Sequence, residues 1–223
     1  MNEIFQNKYW ERDKLKTRRS PQHPVVSAFV LSKIKEIQKY IKIDENTKLL
    51  DVGTGNGFYS FQFEKLCDVF AIDYSDQMIS ANPAKNKKVM DANNLEFPDN
   101  EFDVVFESCL LHHVEDIDKV IAEMKRVAKK YVVIAEPNRN NPLQFLFSLK
   151  KEERKSLKFS LSYLRKILEK HNLNIISSFT HGVIAPNKIP SFLLPLIKIF
   201  DKKIPILGLD NIVICEKTIL PSS

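Results

Sequence analysis

The chain has few cysteines and glycines and no long apolar run, so it lacks the usual basis of a disulfide framework, a flexible linker or a membrane span. Its 223 residues include only three cysteines, one tryptophan and five glycines. The cysteines Cys67, Cys109 and Cys215 are too scattered for a disulfide framework or a C-x-x-C metal pair, which favours a reducing compartment. The most apolar run, residues 192–200, is interrupted by a proline and a lysine and is too short to span a bilayer.

The N-terminus and the overall composition exclude further classes. The first ten residues carry an acid at Glu3 and no apolar core of signal-peptide length, so we expect no secretion signal. The 34 Lys+Arg against 28 Asp+Glu give a formal net charge of +6, and 43% of the residues are hydrophobic. This balance predicts a folded chain with a sizeable core, and we expect a cytoplasmic protein without a transmembrane segment.

Short apolar runs alternate with segments of helical periodicity along most of the chain. The predicted strands are 48–52, 68–73, 88–92, 102–108, 131–137, 174–180 and 211–217. The predicted helices are 25–41, 57–66, 75–81, 116–130 and 160–171. Residues 140–158 form a polar, lysine-rich stretch outside this alternation. The pattern predicts a doubly wound α/β fold, in which helices cover both faces of a mainly parallel sheet.

Composition divides the chain into an arm, a main domain and a tail. We predict an N-terminal arm over 1–23, a main domain over 24–217 and a C-terminal tail over 218–223. An insertion over 181–210, rich in proline and large apolar residues, separates the last two predicted strands. Long structured insertions commonly build substrate sites. The insertion fits a substrate lid, a membrane-surface contact or a dimer interface, so the sequence is compatible with either a monomer or a homodimer.

Three of the five glycines stand at alternate positions in LLDVGTGNG, residues 49–57. Asp51 closes a predicted strand, and Gly53, Gly55 and Gly57 then precede a predicted helix. This spacing differs from the G-x-G-x-x-G found around a pyrophosphate. Because glycine permits positive φ and leaves the backbone bare, a ligand can lie against such a turn. Parallel sheets bind ligands at the carboxyl ends of their strands, where this turn stands.

The ordered motifs between residues 48 and 137 resemble the class I S-adenosylmethionine (SAM) methyltransferases of the ubiquinone and menaquinone biosynthesis type. They are the glycine turn, Asp73 at the end of the second strand, Asp91-Ala92 after the third, and FDVVFESCLLHH over 102–113. The resemblance implies a Rossmann-like sheet of seven mostly parallel strands with the last one antiparallel. It also implies that SAM is the cofactor and S-adenosylhomocysteine the product, with no metal.

The resemblance further implies roles for single residues. The first-strand acid and the glycine turn would face the methionyl part of SAM. Asp73 would accept hydrogen bonds from both ribose hydroxyls, a task that suits an acceptor-only carboxylate. Tyr74 and Met78 would flank the adenine, and Asp91 and Ala92 would meet its amine. The residues predicted to bind the cofactor are Asp51, Gly53, Thr54, Gly55, Asn56, Gly57, Asp73, Tyr74, Met78, Asp91, Ala92, Ser108 and His113.

A base should lie beyond the fourth and fifth strands, a condition that His112, His113, Glu107 and Glu136 satisfy, and the candidate catalytic residues are His112, His113 and Glu136. Methyl transfer from a sulfonium is an in-line displacement, and a base is needed only where the acceptor carries a proton. The near-neutral pKa of histidine suits that task. Packing or capping histidines and a turn glutamate are the alternatives. Residues 107–110 lack the Asn/Asp-Pro-Pro-Tyr/Phe signature of amide and exocyclic-amine methyltransferases.

The N-terminal arm is a candidate lid for the cofactor, because such segments often close over SAM in the family that the chain resembles. Tyr9, Trp10, Arg18, Arg19 and His23 supply groups that stack on rings or pair with carboxylates. This pattern predicts a lid over SAM. A frayed basic tail is the alternative.

The acceptor is predicted to be a small or lipid-like molecule of apolar or aromatic character, because the insertion 181–210 is so apolar. An RNA methyltransferase for tRNA or rRNA is the first alternative, since lysines and arginines cluster along the chain. Acids alternate with those clusters, which is more typical of a solvated face, so nucleic acid is not favoured. A SAM-binding regulator without turnover is the second alternative. Peripheral membrane contact stays open.

Overall fold

The computed structural model describes residues 18–182, 189–195 and 202–218. Within these ranges seven strands form one sheet: β1 (Lys48–Val52), β2 (Asp68–Asp73), β3 (Asn86–Val89), β4 (Phe102–Ser108), β5 (Ala128–Pro137), β6 (Leu173–His181) and β7 (Asp210–Lys217). Their order is β3-β2-β1-β4-β5-β7-β6. β7 runs antiparallel to both β5 and β6, and the other neighbouring pairs are parallel. The predicted sheet, with its antiparallel last strand, is confirmed.

Helices cover both faces of this sheet and produce two hydrophobic cores. The helices are α1 (Pro24–Ile37), α2 (Ser60–Phe63), α3 (Asp76–Ala81), α4 (Ile117–Val127), α5 (Pro142–Ser148) and α6 (Leu161–Lys170). Because neighbouring strand residues point to opposite faces, Leu49 and Leu50 of β1 enter different cores. Val30 of α1 packs in the core of Leu49, whereas Ile121 of α4 and Leu164 of α6 pack in that of Leu50. The doubly wound arrangement is confirmed.

Several predicted boundaries differ from the structure; among them, the helix predicted over 116–130 ends at Val127, and β5 begins at Ala128 rather than at 131. The helix predicted over 57–66 is reduced to α2, and the third strand begins two residues earlier than predicted. The stretch 140–158 contains α5 and a 3-10 helix, Lys151–Lys158. Asn141 begins α5, because its side chain accepts a hydrogen bond from the Gln144 amide at 3.0 Å and a proline occupies the first turn. An Asn-Pro pair thus starts a helix within a segment of polar composition.

The end of the 181–210 insertion is fastened to the end of β5. Asn138 Nδ2 donates to the carbonyl oxygens of Ile206 at 2.7 Å and Gly208 at 2.8 Å. Asn141 Nδ2 donates to the carbonyl oxygen of Leu207 at 2.7 Å. Residues 183–188 and 196–201 of the insertion lie outside the described ranges, as do 1–17 of the arm and 219–223 of the tail. Among the described residues, no helix has the length and apolar character needed to cross a membrane.

Candidate functional site

A cavity of about 480 Å³ lies at the carboxyl ends of β1, β2 and β4. Nine of the residues predicted to bind the cofactor line it: Gly53, Gly55, Asp73, Tyr74, Met78, Asp91, Ala92, Ser108 and His113. The further lining residues are Arg18, Ile72, Ser75, Met90, Asn93, Cys109, Leu110, Val114, Glu115 and Asp116. Topology therefore gathers motifs that are far apart in sequence around one space. The binding roles of these residues stay predictions.

The other four predicted residues, Asp51, Thr54, Asn56 and Gly57, are not among those that line the cavity. The Asp51 carboxylate is 2% exposed and accepts hydrogen bonds from the hydroxyls of Thr54 at 2.8 Å and Ser60 at 2.5 Å. Burial raises the pKa of Asp51 to about 6, against the effect of these donors. Gly57 has φ +89°, and a Cβ there would stand 2.3 Å from Asn82 Oδ1. These contacts therefore support the backbone of the turn on the side away from the cavity.

Two carboxylates of the cavity are held in place by backbone donors. Asp73 accepts from the Gly55 amide at 2.8 Å and from the Ser75 amide at 2.9 Å, one on each oxygen. Burial raises the pKa of Asp73, and these backbone donors oppose that shift. Asp91 Oδ1 accepts from the backbone and side-chain nitrogens of Asn93. Since each carboxylate oxygen has two lone pairs, both residues retain acceptor capacity for a ligand.

Arg18 brings a guanidinium to the glycine turn. Its Cζ stands 4.6 Å from the centroid of the Phe58 ring, and a Cβ on Gly55 would meet its Nη2 at 3.4 Å. Burial lowers the pKa of Arg18, with the charge of Asp73 among the opposing effects. Arg18 Nε is buried without a hydrogen-bond partner in the described part of the chain. A buried guanidinium with an unused donor is suited to an anionic ligand group.

The described part of the arm packs onto this turn. Arg19 accepts from Asn56 Nδ2 through its carbonyl oxygen at 2.9 Å and donates to the carbonyl oxygen of Ile189 at 2.5 Å. His23 caps α1, accepting from the Val25 amide at 3.2 Å. Tyr9 and Trp10 of the predicted lid lie outside the described residues. The lid itself stays a prediction.

Only one of the three candidate bases lines the cavity. His113 does, whereas His112 and Glu136 form a buried ion pair with 2.6 Å between Nδ1 and Oε2. His112 Nε2 also lies 3.5 Å from Glu153 Oε2, and Glu136 accepts from the Leu111 amide at 2.6 Å. The His112 and His113 rings are 4.0 Å apart. The ion pair thus fixes the segment that carries His113.

The pair is part of a larger buried acidic cluster, of which sequence reasoning did not find Glu153. Glu107 is 0% exposed, and burial together with the charge of Glu136 raises its pKa well above the ordinary value. Glu153 comes from the 3-10 helix after α5, far along the chain. Ligand atoms of His112, His113 and Glu153 lie within 4.8 Å of one another, a spacing that suits a metal. His112, however, already has a carboxylate at each ring nitrogen.

The His112 cluster predicts a pH dependence of stability. Burial lowers the pKa of His112, but the charges of Glu136 and Glu153 outweigh it and raise the pKa to about 9. Since the folded pKa exceeds the unfolded one, this stabilisation is complete below pH about 6.5 and is lost as the pH rises through about 9. We expect urea unfolding to show a loss on the order of 2–3 kcal/mol across this window.

The control for this prediction is His112→Asn, which removes the titrating ring. Its free energy of unfolding should change much less between pH 6.5 and 9 than that of the unchanged chain. Parallel curves for the two proteins would contradict the assignment to His112.

Cys109 lines the cavity in an unusual backbone conformation. It has φ +59°, and its amide donates to the Ala135 carbonyl oxygen at 2.9 Å across the end of β4. Cys109 is exposed toward the cavity, and the protein atoms and carboxylates that surround it raise the pKa of the thiol well above its ordinary value. The thiol therefore stays protonated near neutral pH, which argues against a role as a thiolate nucleophile.

Comparison with known proteins gives a consistent picture. Residues 50–135 match the family described as "Methyltransferase domain". The chain is 32% identical over 93 residues to phosphatidylethanolamine N-methyltransferase of Cereibacter sphaeroides, covering 37% of this chain and 46% of that protein. It is 29% identical over 141 residues to demethylmenaquinone methyltransferase of Staphylococcus carnosus, covering 58% and 56%. The chain spans about half the length of these curated relatives.

Solved structures resemble nearly the whole chain. A SAM-dependent methyltransferase of Thermotoga maritima, described as a possible histamine N-methyltransferase, has a TM-score of 0.73 at 16% identity. That match covers 96% of this chain and all of the other. A SAM-dependent methyltransferase of Aquifex aeolicus has a TM-score of 0.61 at 21% identity, covering 86% and 93%. At such identities the likeness establishes the fold.

Proposed function

Residues 50–135 carry a methyltransferase domain, and from this premise we propose that the chain transfers a methyl group from SAM to a small, lipid-like acceptor. The single observation that carries the proposal is the composition of the cavity wall. Four carboxylates line it, those of Asp73, Asp91, Glu115 and Asp116, together with the guanidinium of Arg18.

The charged groups of the cavity fit the chemistry of SAM. SAM has a sulfonium, an ammonium, a ribose diol and an adenine amine, which call for acceptors or negative charge, and one carboxylate, which calls for a cation. The acceptor capacity of Asp73 suits the ribose hydroxyls, and that of Asp91 suits the amine. Arg18 Nε is a buried donor suited to the carboxylate. Gly53 and Gly55 have φ +68° and +57°, conformations that favour glycine.

SAM, when bound, supplies an electrophilic methyl group. The residues of this chain then have to align the acceptor, exclude water and, where the acceptor carries a proton, remove it. We assign the proton to a ring nitrogen of His113, which lines the cavity, whereas His112 and Glu136 act by positioning that residue.

The lipid-like character of the acceptor rests on the relatives and on the wall near His113. The two relatives are named for a phospholipid and a quinone precursor. Leu110, Val114 and Met90 give this cavity an apolar surface. An apolar or aromatic acceptor fits such a wall better than a charged one.

Arg18 provides a test of how the cofactor is held. We expect Arg18→Ala to weaken SAM binding by about tenfold to a hundredfold, because the carboxylate of SAM loses its charged partner. Binding of 5′-methylthioadenosine, which lacks the amino acid moiety of SAM, should change less than threefold. Calorimetry with both compounds makes the comparison, and equal losses for the two would contradict the pairing with the carboxylate.

The proposed activity is tested by incubating the protein with methyl-labelled SAM and cell extract. We expect label to enter the organic-soluble fraction. The matched controls are Asp73→Ala, which should abolish labelling, and Asp76→Ala, an exposed acid three residues away that should not. Label in RNA would support the RNA alternative, and SAM binding without any transfer would support the regulator; either result would contradict the proposal.

A further inference from the structure

The helix α5 turns a polar residue toward the protein interior and apolar residues toward the solvent, which is the opposite of the usual arrangement. Its buried residue is Ser148, whose hydroxyl accepts a hydrogen bond from that of Ser156 at 2.6 Å. Leu143 and Leu146, by contrast, are 64% and 63% exposed. A surface helix of a globular protein normally turns its apolar stripe to the core. The sequence of α5 therefore fits an environment in which the outer side is apolar as well.

The exposed apolar side chains extend beyond α5 onto a neighbouring loop. We name as the outer patch the side chains of Leu143, Phe145, Leu146, Leu149, Ile206 and Leu207, which are 47% to 69% exposed. The hydrogen bond from Asn141 to the Leu207 carbonyl oxygen joins the two segments. Single exposed leucines are ordinary, but six large apolar side chains on adjoining segments form a contiguous surface that marks an interaction site.

Basic residues flank the outer patch along the chain. The exposed basic residues next to it, which we name the basic rim, are Arg139, Lys150, Lys151, Arg154 and Lys158. The acidic residues of the same segment are less accessible to a partner, since Glu153 is buried and Glu152 is half-buried. Lys150 Nζ lies 4.8 Å from the centroid of the Phe147 ring, so its aliphatic stem runs along the apolar helix. The charge on this side of the molecule is therefore positive around an apolar centre.

This combination decides which partner fits. Apolar side chains that enter the acyl boundary, with lysines and arginines at their edge, are typical of helices that lie in the interface of an anionic bilayer. A purely apolar partner offers the basic rim no complementary charge. Anionic headgroups, at a negative surface potential, supply the complementary charge.

The surface also lies near the cavity. α5 follows the carboxyl end of β5, on the edge of the sheet where the cavity lies. Lys155, from the 3-10 helix after α5, donates to the carbonyl oxygen of Val114 at 3.0 Å, and Val114 lines the cavity. A bilayer at the outer patch would thus stand close to the site at which an acceptor enters.

We propose that the outer patch and the basic rim dock this protein on an anionic lipid surface. The inference goes beyond methyl transfer and does not depend on it, since the docking residues lie outside the cavity wall. Calorimetry with SAM tests the cofactor site and vesicle binding tests the docking surface, so the failure of one proposal can be distinguished from the failure of the other.

The test is co-sedimentation of the full chain with vesicles. One set is phosphatidylcholine alone, and the other is a mixture of phosphatidylcholine and phosphatidylglycerol. We expect binding to the mixed vesicles, a loss of binding in high salt, and affinity for phosphatidylcholine alone at least about tenfold weaker. Absence of binding to the mixed vesicles would overturn the proposal.

Two variants localise the contact. Leu143→Ser with Leu146→Ser should reduce affinity for mixed vesicles at least about tenfold, and Lys151→Glu with Arg154→Glu should do the same. Their matched controls are Ile176→Ser, an exposed apolar residue of β6, and Lys85→Glu, which precedes β3 at the opposite edge of the sheet. SAM affinity serves as the folding check for each.

Two results would overturn the proposal at this stage. One is binding of both double variants as tight as that of the unchanged chain. The other is sedimentation velocity, without lipid, that shows a dimer which Leu143→Ser with Leu146→Ser separates into monomers. The patch would then be an interface between copies of this chain.

Discussion

Replacement of Asp73 by alanine is expected to weaken SAM binding by at least about a hundredfold, which corresponds to roughly 3 kcal/mol. Asp73 combines two tasks that no neighbouring residue duplicates. It accepts from the amides of Gly55 and Ser75 and so joins the glycine turn to the segment after β2. Its remaining lone pairs are those that we assign to the ribose. Alanine removes both the ligand contact and the connection.

Calorimetry with SAM and S-adenosylhomocysteine measures this effect. Both compounds carry the same ribose, so both should lose affinity to a similar degree. Asp76→Ala is the matched control, because Asp76 is an exposed acid at the start of α3 and should leave binding within threefold. Asp73→Asn should lie between the two, since an amide retains one acceptor oxygen. An Asp73→Ala affinity within threefold of the unchanged chain would exclude the assigned role.

The second large effect is expected from Glu136→Ala, which should lower the free energy of unfolding by about 3–5 kcal/mol. In the unchanged chain Glu136 neutralises the buried imidazolium of His112 and accepts from the Leu111 amide. Its removal leaves that charge and that donor without their partner in the interior. For a chain of this length the loss corresponds to a fall in Tm of roughly 10 °C.

Thermal unfolding compares this variant with Glu101→Ala. Glu101 pairs with Lys48 at 3.0 Å on the surface, where such pairs contribute only about 0–1 kcal/mol. Glu136→Gln separates positioning from catalysis. If Glu136 only positions the segment with His113, this conservative variant should retain measurable kcat and the same pH profile of activity. Its Tm should be lower. A folded Glu136→Gln protein with no activity would contradict a purely positioning role that the amide can fulfil.

The sequence predicted the fold well because periodicity records burial. Leu49 and Leu50 enter different cores, and a strand buried on both faces reads as a continuous apolar run. The helix α5 could not be found in this way. Its outward face is apolar and its inward face polar, so its pattern gives no usual amphipathic signal, and only Asn141 and Pro142 mark its start. Periodicity also did not predict that turns reduce α2 to Ser60–Phe63, or that β3 begins at Asn86.

The candidate site was predicted in part. Asp73 and Asp91 stand at strand ends, and parallel topology brings strand ends together, so their common cavity follows from the pattern. Glu153 could not be found, because its contact with His112 depends on a 3-10 helix that composition does not reveal. The positive φ of Cys109 also has no sequence signal, since glycine or asparagine is the usual residue there.

The amide groups of Asn138 and Asn141 have a consequence for how this protein can change. They bind the loop after β6 through three carbonyl oxygens, those of Ile206, Leu207 and Gly208. Main-chain carbonyls are the same for every residue type, so the loop keeps its anchorage whatever side chains it displays. Substitutions that change the chemistry of the outer patch at positions 206 and 207 therefore leave these three backbone hydrogen bonds available, although the positive φ of Ile206 limits which residues fit there.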